Sequence, residues 1–203
     1  MTRRYLHCQF LSYWHPGTGG GLGAWWDGRA RSMDELPVVP GRTLKGVLRD
    51  AVDRAESLGW HSQDGIAGER WTDRLFGQAA TLSRSSVPGN LRIGSAGLDE
   101  MTRTAIHALE QPQKVIALRG MRAGLNQTAI DDSGIAKDGS LRALEVYVPM
   151  PLVAPIDWIG EDDAAAITVA FKVLAHSLPL VDGLGAHRTR GLGRVALTLE
   201  TRL

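Results

Sequence analysis

The stretch Asp182-Gly-Leu-Gly-Ala-His-Arg-Thr-Arg-Gly-Leu-Gly-Arg-Val195 decides how the rest of this chain is read. Four glycines, Gly183, Gly185, Gly191 and Gly193, bracket His187, Arg188 and Arg190, and a strand-like run from Arg194 to Leu203 follows. Glycine permits left-handed backbone and close approach to a ligand. Arginines set between glycines can grip phosphate oxygens with paired N–H donors. No nucleophile accompanies them, so the loop suits the holding of a polyanion. The same residues also read as a tight connection into a last strand. The loop is not a Walker loop, because no Gly-Lys-Ser/Thr follows. Nor is it a dinucleotide fingerprint, which opens a helix after a first strand.

Working outward, the apolar periodicity outlines a mixed chain. Arg3 to Leu11 alternates and predicts a first strand. Pro40-Gly41 opens a helix in which Leu44, Val47, Leu48, Ala51, Val52, Ala55 and Leu58 recur at helical spacing, and Gly59 ends it. On its other side Lys45, Arg49 and Asp53 share a face, either aimed at a ligand or forming a solvated ion-paired surface. Gly59 to Ser86 reads as irregular. Leu91 to Leu98 and Gln113 to Arg119 read as short strands, and Leu141 to Val148 as another. Gly120 to Ser140 carries few large apolar residues and predicts a projecting loop or hairpin, with Arg119, Arg122 and Asn126 at its base. Glu161 to Asp163 starts a second long helix with an apolar stripe of Ile167, Ala170, Phe171, Leu174 and Leu178. The order strand, helix, strands, helix, strand is the split βαβ pattern of a ferredoxin-like or RRM-like α+β fold. Such a fold has an antiparallel sheet, two helices on one face, and an opposite face open to a ligand.

At 203 residues and 43% hydrophobic content the chain suits one domain, residues 1–203, with an insertion at about 120–140. The lone Cys8 excludes an internal disulfide and a cysteine-rich zinc site, and its place in an alternating run makes it a small core residue. No apolar run is long enough to span a membrane, and a cytoplasmic location is expected. The net charge of +1 favours no partner by itself. Its distribution does: Lys114 to Arg122 and His187 to Arg194 each hold three cations and no acid.

Several stretches together resemble the RAMP superfamily of CRISPR-associated proteins, above all the crRNA-binding backbone subunits of type III effector complexes. Leu36-Pro-Val-Val-Pro-Gly-Arg-Thr-Leu-Lys-Gly46 is similar to the family's P-x-x-P-G-S-S-[LI]-K-G helix opening, with Arg42-Thr43 in place of Ser-Ser. Leu75-Phe-Gly77 resembles a short motif after the first helix. Lys137 to Glu145 resembles the segment leading out of a projecting thumb. Gly183 to Val195 resembles the glycine-rich loop with its Arg-Gly-x-Gly-Arg-Val ending. The resemblance implies binding of guide RNA along a positive face, head-to-tail association with copies of itself and other effector subunits, and a thumb that meets guide and target RNA. The candidate RNA contacts are Lys45 and Arg49, which match family positions, with Arg42 beside them on the first helix, and Arg119, Arg122 and Asn126, which lie at the base of the projection. In the loop they are Gly185, His187, Arg188, Arg190 and Gly191.

Some members of the family cleave target RNA through an Asp in the loop after the first strand. Asp27 matches that place best and Asp34 second. A carboxylate there can orient a 2′-OH or hold Mg²⁺, although Asp27-Gly28 is equally a good turn. RNA-processing relatives place a histidine near the first glycine-rich loop, where this chain has His15. Three readings therefore stand side by side: a guide-RNA-binding subunit, an endoribonuclease, and a filament-capping subunit. His7, His107 and His176 are expected to pack, as are Trp60, Trp71 and Trp158, whereas Trp25 and Trp26 are candidates for stacking on RNA or on a neighbouring subunit. No histidine spacing suggests a structural zinc.

Overall fold

A computed structural model of the chain describes residues 2–17, 30–62, 69–80, 83, 85–161 and 163–200. Asp27, Trp25 and Trp26 lie outside the described residues. The chain runs β1 (Thr2–Phe10), β2 (Ser32–Met33), β3 (Leu36–Pro37), α1 (Gly41–Ser57), α2 (Trp71–Phe76), β4 (Gly77–Gln78), β5 (Val87–Pro88) and β6 (Leu91–Ile93). It continues with α3 (Glu100–Ala108), α4 (Gln113–Gly120), β7 (Arg122–Gln127), β8 (Arg142–Tyr147), β9 (Pro151–Trp158), α5 (Ala164–Ser177) and β10 (Val195–Leu199). Short 3₁₀ turns cover Leu178–Leu180 and Arg188–Arg190.

Four strands form one antiparallel sheet in the order β10-β1-β9-β6. Alternation along β1 buries Arg4, Leu6, Cys8 and Phe10 and leaves Arg3, Tyr5, His7 and Gln9 exposed. The buried face meets Leu152, Ala154 and Ile156 of β9, the stripe Leu44, Leu48, Ala51 and Val52 of α1, and Phe171, Val173 and Leu174 of α5 in a single core. Burial pushes the Cys8 thiol up to about 12, so it is a small apolar filler rather than a reactive group. The second helix begins as its sequence implies, with Asp163 accepting from the Ala166 N–H at 2.7 Å. The opposite sheet face, expected to be open, is flanked by α3 and the β2–β3 hairpin. These bound a cavity of about 620 Å³ over Tyr5 and His7.

The structure corrects several local readings. Gln113–Arg119 is helical, not a strand: Val115 and Ile116 suggest β structure, but Gln, Lys, Ala, Leu and Arg are good helix formers. In a run this short, periodicity does not decide between the two. Residues 59–86, read as irregular, contain α2, whose first amides at Trp71 and Thr72 are capped by the Glu56 carboxylate from α1. Leu58 is 65% exposed and Trp60 47% exposed, because α1 closes there in a Schellman turn (Trp60 N–H to Ala55 O, 3.0 Å; Gly59 N–H to Glu56 O, 2.9 Å) that leaves the core behind. Trp71 and Trp158 are core residues as expected. His7, His107 and His176 are exposed rather than packed. His61, which the sequence does not single out, is buried, with Nε2 bonded to Ser177 Oγ at 3.0 Å.

The predicted projection is a hairpin. β7 and β8 pair in register from Arg122↔Tyr147 to Gln127↔Arg142, and residues 128–139 beyond them are exposed throughout. It is joined to the sheet through Trp14. The backbone of Trp14 pairs with Tyr147 in both directions (3.1 and 2.9 Å). The fully buried indole stacks on Phe10 at 4.2 Å, tilts against Tyr147 at 4.9 Å, and donates Nε1–H to the Val148 carbonyl at 3.2 Å. Trp14→Ala is expected to cost about 3–5 kcal/mol in urea unfolding, the range for deleting a buried aromatic. A loss under about 1 kcal/mol would show that this junction does not hold the hairpin.

Candidate nucleic-acid interface

The glycine loop is stitched to the segment after β1. Ala186 N–H donates to His15 O at 2.8 Å and Gly193 N–H to Tyr13 O at 2.7 Å. Within the loop Leu184 N–H donates to Gly193 O at 2.8 Å. These contacts dictate the glycines. A Cβ on Gly193 would stand 2.0 Å from Leu184 O at φ +75°, and one on Gly185 would stand 2.7 Å from His15 O at φ +97°. The amides of Leu184, Ala186 and Gly193 are therefore spent on backbone partners. Outward the loop presents side chains. His187 sits at φ 59°, Gly191 at φ 82°, and between them the 3₁₀ turn presents exposed Arg188 and Arg190.

Two cavities adjoin the loop. One, of about 390 Å³, lies between Gly185 and Ala186, the start of α1 at Pro40, Arg42 and Thr43, and Arg31 with Gly17. α1 has no acid in its first turn, and although Gly41 N–H donates to Ser95 Oγ at 3.1 Å, its positive end lies beside this space together with two guanidinium groups. The other, of about 310 Å³, lies between Asp182, Gly183 and Arg188 and the flank of α1 carrying Gly46, Val47, Asp50 and Arg54. The structure thus brings Arg42, Gly185 and Arg188 to adjoining spaces. Lys45 and Arg49 line neither cavity and are half-buried on α1.

The thumb-base residues form a separate place. A cavity of about 380 Å³ is lined by Arg119, Arg122, Glu35 and Glu145 with Val115 and Leu118. Arg122 is already held: Nη2 donates to Glu35 O at 2.8 Å, Nη1 pairs with the Glu145 carboxylate at 3.5 Å, and the guanidinium lies 5.6 Å from the Tyr147 ring centroid. Arg119 is exposed at the end of α4, and Asn126 is exposed on β7 opposite Ala143. Asp34, second choice for a catalytic acid, sits with Glu35 in the two-residue turn of the β2–β3 hairpin, both at positive φ. It lines the cavity on the sheet face, not those beside the glycine loop. Among the described residues no three His, Cys, Asp or Glu side chains are grouped so as to hold a metal ion.

The family profile of the RAMP superfamily matches residues 7–196. The chain belongs to the RAMP superfamily. Among solved structures, a chain of a type III-B Cmr-β complex bound to cognate target RNA shares the RAMP protein's fold with a TM-score of 0.67. The identity is 10%, covering 98% of this chain and 97% of that one. The apo state of Cmr-β gives a TM-score of 0.61 at 10% identity, covering 98% and 97%. A chain of a type IV-B CRISPR complex gives 0.61 at 17% identity, covering 98% and 91%. At these identities the likeness is one of fold. No protein of curated function matches in sequence.

Three participants in this RAMP site were not apparent from sequence. Arg31 and Thr43 reach the loop only through the fold. Glu145 ties both places together: its carboxylate accepts from Ala30 N–H at 3.0 Å and pairs with Arg122, while its carbonyl accepts from His15 Nδ1 at 2.8 Å. His15, proposed as an acid/base group, is 5% exposed, and its ring centroid lies 5.9 Å from that of His187. Burial lowers the His15 pKa, the Glu145 hydrogen bond opposes that, and His187 adds to the lowering. The unfolded chain thus takes up this proton more readily than the folded one. Stability therefore rises with pH between the lowered pKa and about 6.5, the ordinary histidine value, and levels off above it. His15→Asn keeps a donor for Glu145 O and removes the titration. Urea unfolding between pH 5 and 7.5 is expected to show a shallower slope for His15→Asn below about pH 6.5. Equal slopes would show that His15 titrates as it does in the unfolded chain.

Proposed function

We propose that this RAMP protein is a guide-RNA-binding subunit of a CRISPR effector ribonucleoprotein, built on a ferredoxin-like scaffold and acting in the cytoplasm. Its partners are guide RNA, target RNA, other effector subunits and further copies of itself. The observation that carries this reading is the convergence of Arg188 with Arg42, Arg31 and the acid-free first turn of α1 around the glycine loop. Full-length likeness in fold to chains of type III-B and type IV-B complexes supports it. Such a site binds backbone rather than bases. Guanidinium pairs and a helix N-terminus neutralise phosphates at fixed spacing, and the sequence of the strand is left free for pairing.

Binding of single-stranded RNA is then expected to weaken with salt at a log–log slope of about −0.7 per phosphate neutralised. Replacing both Arg188 and Arg190 by Ala is expected to lower affinity and to flatten the slope by about 1.4, two phosphates' worth. Unchanged affinity and slope would overturn this placement of the RNA. If the assembled complex cleaves complementary RNA with Mg²⁺, Asp27→Asn is expected to abolish cleavage and to leave guide binding within about threefold. Cleavage surviving in Asp27→Asn and lost in Asp34→Asn would move the chemistry to Asp34.

A further inference from the structure

Gly46 lies inside α1, where glycine is the least favourable residue after proline. The fold itself gives no reason for it. A Cβ added at Gly46 would meet nothing within 4 Å among the described residues. Gly41, five residues earlier, is the contrast: its Cβ would stand 2.4 Å from Ile93 O. The packing of α1 against the end of β6 requires Gly41, whereas neither packing nor backbone angle requires Gly46. A bare helical surface serves something that must come close to it.

Gly46 opens onto the cavity of about 310 Å³ beside the glycine loop. Of the charged groups there, Arg54 is committed: it pairs with Asp50 at 3.1 Å and donates Nη2–H to Leu180 O at 2.7 Å. Arg188 makes only a long 3.5 Å contact to Gly183 O. The Asp182 side chain is exposed and has no ion pair or side-chain hydrogen bond among the described residues. The groove thus offers one uncommitted guanidinium, one uncommitted carboxylate and a bare wall. A guanidinium selects phosphate. An ionised carboxylate only accepts hydrogen bonds, so it needs a donor, and next to phosphate it repels any ligand that lacks one. A ribonucleotide carries that donor as its 2′-OH; a deoxyribonucleotide does not.

We propose that this groove is a ribose–phosphate subsite that selects RNA over DNA. Gly46 lets the sugar reach the helix surface, Arg188 holds the phosphate, and Asp182 accepts a hydrogen bond from the 2′-OH. The inference rests on the RNA-binding reading above and adds what that reading leaves open, the discrimination between the two sugars.

The test measures binding of the full-length protein to single-stranded RNA and to DNA of the same sequence, together with Tm. Gly46→Ala is expected to raise Tm by about 2–4 °C, as relief of a helical glycine does, and yet to weaken RNA binding by at least about fivefold. Asp182→Asn is expected to lower the ratio of RNA to DNA affinity by about tenfold, chiefly by improving DNA binding. A wild-type protein that binds no RNA would sink the RNA-binding reading itself. Wild-type binding that persists unchanged in Gly46→Ala, or a sugar preference unchanged in Asp182→Asn, would leave that reading intact and overturn the subsite. A lowered Tm for Gly46→Ala would also overturn it, by showing that the chain's own packing needs the glycine.

Discussion

Three consecutive residues after β1 hold the functional parts of this protein together. A strand-like segment alternates the direction of its backbone groups, so its two edges can serve two neighbours. Tyr13 and His15 turn their carbonyls to Gly193 and Ala186 of the glycine loop. Trp14 turns its N–H and C=O to Tyr147 of the β7–β8 hairpin. The loop and the hairpin therefore share one clamp, and the Trp14 indole, stacked between Phe10 and Tyr147, anchors the clamp in the core. Glu145, two residues from Tyr147, closes the circuit through the His15 ring.

This clamp fixes what chemistry the glycine loop can perform. Where backbone amides point into a loop, they can cradle a phosphate, as in nests and P-loops. Here the amides of Leu184, Ala186 and Gly193 are consumed in holding the loop to the protein. The glycines answer a steric demand of the fold, because Leu184 O and His15 O occupy the space a side chain would need. The 3₁₀ turn meanwhile keeps Arg188 and Arg190 exposed, and the first turn of α1 lines the cavity beside the loop. Of the two readings of the loop open from sequence, the backbone bonds show the tight connection, and the anion grip stays with the proposal, resting on the arginine side chains.

The elements legible in sequence are those with one strongly apolar face. β1, α1, α5 and β10 bury alternate or helical positions, and the pattern shows it. α4 misleads because it buries none of its residues, so no periodicity distinguishes it from a strand. On α1 the pattern separates inside from outside but cannot say which neighbour each exposed flank meets. Lys45 and Arg49 share a face and look like a pair, yet the flank turned to the glycine loop carries Gly46, Asp50 and Arg54. His15 was visible as a residue near a loop; its buried bond to Glu145 O spans 130 positions and no local signal carries it.

A net charge of +1 looks indifferent to RNA only while all charges are counted alike. Many cations of this chain are already neutralised inside it. Arg3 pairs with Asp157, Arg54 with Asp50, Arg70 with Asp53, Arg74 with Glu69, Arg103 with Glu100 and Arg122 with Glu145. Such pairs are electrically closed and add little field at a distance. Arg31, Arg42, Arg188 and Arg190 have no carboxylate within ion-pair reach among the described residues, and the fold gathers them around the glycine loop. A polyanion feels that local excess rather than the sum, since screening confines each charge to its own neighbourhood. The internal ion pairs therefore matter to the proposed interface as well as its free arginines, because a cation paired elsewhere adds little to the field at the glycine loop.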